Sequence, residues 1–154
     1  MRYNRLFCTL ILLIILFSLP SFKPIYKVTN LNKINIEGTI VVRSIGFGKS
    51  IEVATDEAES NAIKIVLFRG LPDSEQKSAM IGTNESEILN NNKEYFNRFF
   101  TDKRYKTFII SSVPVTDFIR KKGGKKSITI DVKINIEALR IDLEQSKVIR
   151  KFGF

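Results

Sequence analysis

The sequence predicts an α+β two-layer domain, in which helices cover one face of a small antiparallel sheet in the order strand, helix, helix, strand, strand, helix. Two segments support this prediction. Residues 126–136 (KSITIDVKINI) alternate apolar and polar side chains without interruption, which is typical of a half-buried antiparallel strand. Residues 56–69 place apolar side chains at helical spacing and are followed by Gly70, a common helix stop. Because no βαβ pattern repeats, a parallel sheet is not expected.

The first strand is predicted at 38–47, where GTIVVRSIGF is rich in β-branched residues. The helix after it is expected from about Asp56 to Arg69, with Thr55 as its N-cap and acids in its first turn. Small and branched side chains form its inner stripe: Ala58, Ala62, Ile65 and Val66. The alanines would let the helix lie close to a sheet.

A second helix is expected over 88–101, with four rings on one broad face: Tyr95, Phe96, Phe99 and Phe100. Such a face can line a ligand pocket or cover the core. The core is the favoured interpretation because large rings dominate the buried area of small domains. A final helix over 138–145 contributes Leu139 and Leu143.

Strand 126–136 is predicted to pair with residues 106–121 through a two-residue turn at Gly123-Gly124. This register sets Ile119 opposite Ile128, Val115 opposite Val132 and Val113 opposite Ile134. It also sets Asp117 opposite Ile130 on the apolar face, which is unfavourable. Two alternatives remove the conflict, namely a bulge at Pro114 or a loop longer than two residues.

The N-terminal segment has the layout of a secretory signal. Arg2 and Arg5 precede the charge-free stretch 6–19 (LFCTLILLIILFSL), and Pro20 and Ser21 close it. Because this stretch is shorter than the roughly 20 residues of a spanning helix, a cleaved signal at 1–21 is favoured over a retained anchor. Residues 22–37 are then a linker or edge strand, and 38–154 one domain. The protein is expected in the periplasm or at the periplasmic face of the inner membrane.

The composition excludes several chemistries. The chain has no histidine, and its one cysteine, Cys8, lies in the apolar stretch, so triads of Ser or Cys with His cannot form. The segment GFGKS at 46–50 resembles a phosphate-binding loop, but Arg43 stands where that motif needs glycine, and residues 51–53 separate it from the predicted helix. We predict a glycine-rich turn here, and no catalytic residue, cofactor or metal.

The densest charge surrounds the hairpin glycines and comprises Arg120, Lys121, Lys122, Lys125 and Lys126, in a chain of net charge +9. A basic tip can contact an anionic membrane or a glycan surface, although a solvated turn kept soluble by lysine is the simpler interpretation. Nucleic acid is not an expected partner because an exported protein would rarely meet it.

Four strings carry a family resemblance: GFGKS, TDEAESNAIKIVLFRGLP, YFNRFF and IDVKINIEALRIDLEQSKVIRKFGF. Over residues 36–154 the chain resembles an uncharacterised family of exported bacterial envelope domains of the Bacteroidota type. At fold level it is similar to small envelope-lipoprotein domains and to the N-terminal domain of a flagellar assembly protein, although Cys8 lies too early for a lipoprotein.

The resemblance implies a non-enzymatic envelope protein with a binding or structural role towards a protein or surface partner. Two alternatives remain open. One is an anionic-surface binder that uses residues 120–126. The other is a carboxylate hydrolase, which needs two acids about 5 to 10 Å apart across a cleft.

Overall fold

The computed structural model describes residues 37–120 and 126–151. Its elements, in chain order, are β1 (Thr39–Gly48), α1 (Ile51–Phe68), α2 (Glu85–Asn91), α3 (Lys93–Phe96), a π-helical turn (Asn97–Thr101), a 3-10 turn (Arg104–Phe108), β2 (Ile109–Pro114), β3 (Ile119–Arg120), β4 (Lys126–Asn135) and α4 (Ile136–Gln145). In the antiparallel sheet, β4 lies between β1 on one side and β2 and β3 on the other. The α+β class is confirmed. The predicted signal at 1–21 and all but Glu37 of the predicted linker fall outside the described residues.

The core lies between α1 and one face of the sheet. On β4 the predicted alternation holds, because Ile128, Ile130, Val132 and Ile134 are buried. Val42 of β1 pairs with Val132 and is also buried. The predicted inner stripe of α1 is buried in full (Ala58, Ala62, Ile65, Val66).

Helix α1 begins five residues earlier than the sequence predicted. Its N-cap is Ser50, whose side chain accepts a hydrogen bond from the Val53 amide at 3.3 Å, so Thr55 lies inside the helix. The first turn of the helix was missed in the sequence because Ile51 and Val53 are β-branched and therefore weak helix formers. Burial of Ala54 against the sheet outweighs their weak helix propensity.

The aromatic segment is not the continuous helix that was expected over 88–101. It consists of α2, α3 and the π-helical turn, with Asn92 as the residue between α2 and α3. Phe96 and Phe99 are nevertheless buried, and Phe96 packs against Phe68 at the end of α1 with ring centroids 6.1 Å apart. The rings cover the core, as the favoured interpretation states.

Helix α4 begins at Ile136, which the sequence had assigned to the strand. Asn135 caps it by accepting a hydrogen bond from the Ala138 amide at 2.9 Å. Leu139 and Leu143 are buried, as predicted.

The predicted register between 106–121 and β4 is wrong. Arg120 pairs with Lys126 and Ile119 with Ser127, so the connection is longer than two residues. Beyond Pro114, the amides of Val115 and Thr116 both donate to the Thr129 carbonyl, at 2.8 and 3.3 Å, which is a bulge. Both alternatives therefore occur together.

The bulge and the longer loop move Asp117 away from the apolar face. In its place, Pro114 pairs with Ile130. Asp117 is exposed, and the unfavourable contact that the two-residue turn required does not form.

Candidate partner-binding surface

The altered register turns apolar side chains of the β2–β3 segment towards solvent. Val113 lies opposite Asp131 instead of Ile134, and Ile119 lies opposite Ser127 instead of Ile128. Four large apolar side chains of this segment are between 43% and 56% exposed: Ile110, Val113, Val115 and Ile119. We name these four residues the apolar arm. Large exposed apolar patches on a monomeric protein mark interaction sites.

The lysine-rich hairpin continues from the apolar arm. Arg120 ends β3 and lies directly opposite Lys126, the first residue of β4, and both are exposed. Lys126 Nζ lies 5.3 Å from the ring centroid of Phe118. The other predicted contact residues, Lys121, Lys122 and Lys125, fall outside the described residues.

The GKS segment forms the junction between β1 and α1. Helix α1 starts directly after Ser50, so the expected separation of the motif from the helix by residues 51–53 is wrong. The glycines have a packing role: a Cβ on Gly46 would overlap the Ala54 carbonyl, and one on Gly48 would lie 2.6 Å from the Ala54 amide nitrogen. Arg43, at the position where the motif needs glycine, is bound to Asp131 at 2.7 Å.

Two acids of α1 come close together. Asp56 and Glu59 both contact the ammonium group of Lys106, so their carboxylates lie no farther apart than those of glycosidase pairs, about 5 to 10 Å. Asp56 also pairs with Lys103, and the buried Glu59 accepts a hydrogen bond from the Ser112 hydroxyl at 2.7 Å.

The chemistry of this acid pair is that of an ion-pair network. Burial raises the pKa of Asp56, but hydrogen bonds from Lys103 and Lys106 outweigh burial and hold the pKa below its ordinary value. Asp56 is therefore ionised at neutral pH and has no proton to donate as a general acid. Neither acid lines the cavities beside Tyr95, Gln76 or Val148.

A second network joins the aromatic segment to α4. Arg104 donates two hydrogen bonds to the Asp142 carboxylate, at 2.8 and 3.0 Å, and the Tyr95 hydroxyl donates a third at 2.6 Å. The guanidinium also lies 5.0 Å from the Tyr95 ring centroid and 5.4 Å from that of Phe99. A cavity of about 450 Å³ beside it is lined by Glu94, Tyr95, Arg98, Arg104 and Ser146.

The pKa shifts of Asp142 and Tyr95 show that hydrogen bonds to an ionised Asp142 carboxylate stabilise this network. Burial raises the pKa of Asp142, and the hydrogen bonds from Arg104 and Tyr95 more than compensate, so the net shift is downward. Burial, with Asp142 nearby, raises the pKa of Tyr95. Arg104 is permanently charged, and its guanidinium already donates two hydrogen bonds to Asp142. We therefore interpret this network as a structural contact.

Residues 37–120 and 126–151 contain neither a cluster of metal-ligating side chains nor a helix that could span a membrane. No group of three or more His, Cys, Asp and Glu side chains in these ranges could hold a metal ion. No helix within the same ranges is long and apolar enough to cross a bilayer.

The fold and the exposed residues define a class: a small α+β two-layer domain with an apolar arm on one sheet edge and a cationic hairpin beside it. Comparison of the chain with models of known protein families, with curated proteins and with solved structures finds no match. The resemblance to exported envelope domains therefore stays a prediction.

Proposed function

We propose that this protein is a non-enzymatic, exported cell-envelope domain that binds a partner through the β2–β3 side of its sheet. The observation that carries the proposal is the exposure of the apolar arm. On the opposite face of the sheet, by contrast, the apolar side chains of β4 are buried against α1. Val132 and Ile134 are completely buried and stabilise the fold, whereas the exposed side chains of Val113 and Ile119 contribute little to its stability. Their exposure is therefore better explained by binding than by folding.

The hydrolase alternative has weaker support. Its two acids, Asp56 and Glu59, are close together, but Lys103 and Lys106 bind the Asp56 carboxylate. Ser112 binds Oε1 of Glu59, and Oε2, which accepts no hydrogen bond, lies 3.4 Å from Lys106 Nζ. A glycosidase pair needs one carboxyl that keeps its proton and a cleft that admits substrate, whereas Asp56 is stabilised as the anion.

The experiment places a photo-crosslinking amino acid at Val113 of the full chain in cells. The matched control is Ile141 of α4, a large apolar side chain with similar exposure (46% against 56%). Protease access in spheroplasts locates the chain in the same cells. We expect a chain outside the cytoplasm and an adduct at Val113 that Val115→Ser weakens and that the Ile141 probe does not form.

Three results would overturn the proposal. They are a cytoplasmic location, equal adducts at Val113 and Ile141, and an adduct at Val113 that is unchanged by Val115→Ser.

A further inference from the structure

Among the described residues, helices cover only one face of the sheet. The even-numbered β4 residues from Ile128 to Ile134 are buried against α1, so the odd-numbered residues of β4 point to the opposite face. Directly opposed residues of neighbouring strands share a face. We name the uncovered side the open face. Its rows comprise Phe47 with Ser127 and Ile119, Ile45 with Thr129, Arg43 with Asp131 and Val113, and Val41 with Lys133 and Ser111.

The first of these rows begins an apolar strip. Phe47 and Ile119 are 45% and 47% exposed, and they shield the Ser127 side chain between them, which is 2% exposed. Ile45, in the next row, is half-buried, and Val113, one row further, is 56% exposed. Apolar side chains from both sides of β4 therefore lie on one face of the sheet, and every one of them is described.

The other end of the open face carries a positive charge. Arg43 donates hydrogen bonds to both Asp131 oxygens, at 2.7 and 2.9 Å, so these two charges neutralise each other. Lys133, in the last row, lies between the uncharged Val41 and Ser111. Within 37–120 and 126–151, Lys133 forms no ion pair. The open face therefore combines an apolar strip with one uncompensated cation.

Charge distinguishes between the occupants that could cover such a face. A second copy of this chain, of net charge +9, would add positive charge to positive charge. Residues 22–36 of the same chain contain Lys23, Lys27 and Lys33 and no acid, so they are also mismatched to Lys133. A carboxylate beside Lys133 would supply the missing partner. Charge complementarity thus favours an acidic protein.

The form of the occupant follows from hydrogen bonding and dimensions. A segment that lies on a sheet face cannot pair with the strand backbones, so it must satisfy its own amides and carbonyls, as a helix does. The apolar strip spans two strand spacings, about 10 Å, which is the diameter of one helix. From the row of Ser127 to the row of Lys133 is about 20 Å along β4, the length of about 13 helical residues.

We propose that the partner of this domain is a protein that lays an acidic amphipathic α-helix along the open face. Its apolar side chains cover Phe47, Ile119 and Val113, and a carboxylate three to four turns away pairs with Lys133. The inference rests on the proposed function, because it names the kind of partner. It also extends the binding surface from the β2–β3 segment across β4 to β1.

The test places a photo-crosslinking amino acid at Phe47 or at Ile119 of the full chain in cells and maps the adducts by mass spectrometry. We expect both probes to capture one segment of one partner, at residues three or four apart, because such residues share a helix face. The segment should carry Asp or Glu three to four turns from the captured residues. The matched control is a probe at Val53, which is 52% exposed on α1 and should form no adduct.

Two substitutions test the two halves of the surface. With the probe at Val113, Phe47→Ser should lower the adduct yield by about tenfold or more, because the partner loses an apolar contact two strands away from the probe. Val53→Ser is its control. With the probe at Phe47, Lys133→Glu should lower the yield by about threefold or more, whereas Lys77→Glu, at another exposed lysine, should not. Thermal unfolding of each variant checks that the fold is retained.

Several outcomes would contradict the inference: captured residues two apart, as in a strand, a captured segment without acids, an adduct with a second copy or with residues 22–36, an adduct with lipid, or equal adducts at Phe47 and Val53. An adduct at Val113 that Phe47→Ser leaves unchanged would sink the helix inference while the proposed function stands. A cytoplasmic chain would sink the proposed function itself.

Discussion

At the residue scale, charged side chains of this domain bind distant parts of the chain. Arg43 and Asp131 join β1 to β4 with hydrogen bonds of 2.7 and 2.9 Å. Arg104 and Tyr95 join the aromatic segment to Asp142 of α4. Partly buried, charge-assisted hydrogen bonds of this kind stabilise a fold more than exposed ion pairs do.

Asp142→Asn should lower the free energy of unfolding by about 1 to 3 kcal/mol at pH 7, because Arg104 loses its charged acceptor. The folded state holds the pKa of Asp142 below its ordinary value, so the stabilisation is present above the unfolded pKa of about 4 and is lost as the pH falls through the folded pKa. Urea titrations from pH 7 to pH 2 should show the two proteins converging at acid pH. Asp102→Asn, at an exposed carboxyl, is the control. A constant difference across the range would contradict the ion-pair account.

Gly46→Ala should destabilise the protein by at least about 2 kcal/mol, because a Cβ there overlaps the Ala54 carbonyl and forces α1 away from β1. Lys49→Ala, three residues along and exposed, should change the free energy of unfolding by no more than about 0.5 kcal/mol. Thermal or urea unfolding measures both. Nucleotide binding that depends on Lys49 would show that the GKS junction holds phosphate after all.

At the element scale, the boundaries of α1 and α4 are decided by capping and burial more than by propensity. Ser50 and Asn135 each accept a hydrogen bond from an amide in the first turn. Helix α1 therefore starts in a stretch that the sequence analysis assigned to a turn, and α4 starts at a residue that it assigned to a strand. Alternation of apolar residues identified β4, but it does not mark the residue at which a strand becomes a helix.

Ser50→Ala should cost about 1 kcal/mol of stability, because it removes the N-cap of α1. Thr55→Ala should be neutral or slightly stabilising, since alanine is the better helix former inside a helix. Urea midpoints of the two variants decide between the start at Ile51 and the start at Asp56. The reverse order of midpoints would favour the later start.

At the scale of the whole molecule, the effect of the positive charge depends on where the protein is located. The chain carries a net charge of +9, and the described cations at the hairpin end are not balanced by a described acid on the opposite strand. A basic domain at the membrane surface of an envelope would meet anionic lipid continuously. Location is therefore the first property to measure.

If residues 1–21 are a cleaved secretory signal, as the layout of Arg2, Arg5 and the charge-free stretch 6–19 predicts, the N-terminus of the accumulated protein should lie between Pro20 and Lys27. Mass spectrometry of the purified chain measures this terminus. Ile14→Asp, which places a charge within the apolar stretch, should block export and leave the chain intact. A soluble cytoplasmic protein that keeps residues 1–19 would refute the signal interpretation.

The sequence by itself determined the α+β class, the buried face of β4 and the inner stripe of α1, because apolar periodicity depends only on which face meets the core. It also located the cationic residues Arg120 and Lys126. Only the tertiary structure decided the register. The bulge at Val115 and Thr116 is fixed by their hydrogen bonds to the Thr129 carbonyl, and the longer connection by the pairing of Arg120 with Lys126, neither of which the local pattern encodes. That register exposes Val113 and places Ile119 in line with Phe47, because a shift by an odd number of residues, three at Val113 and one at Ile119, moves the side chain to the opposite face.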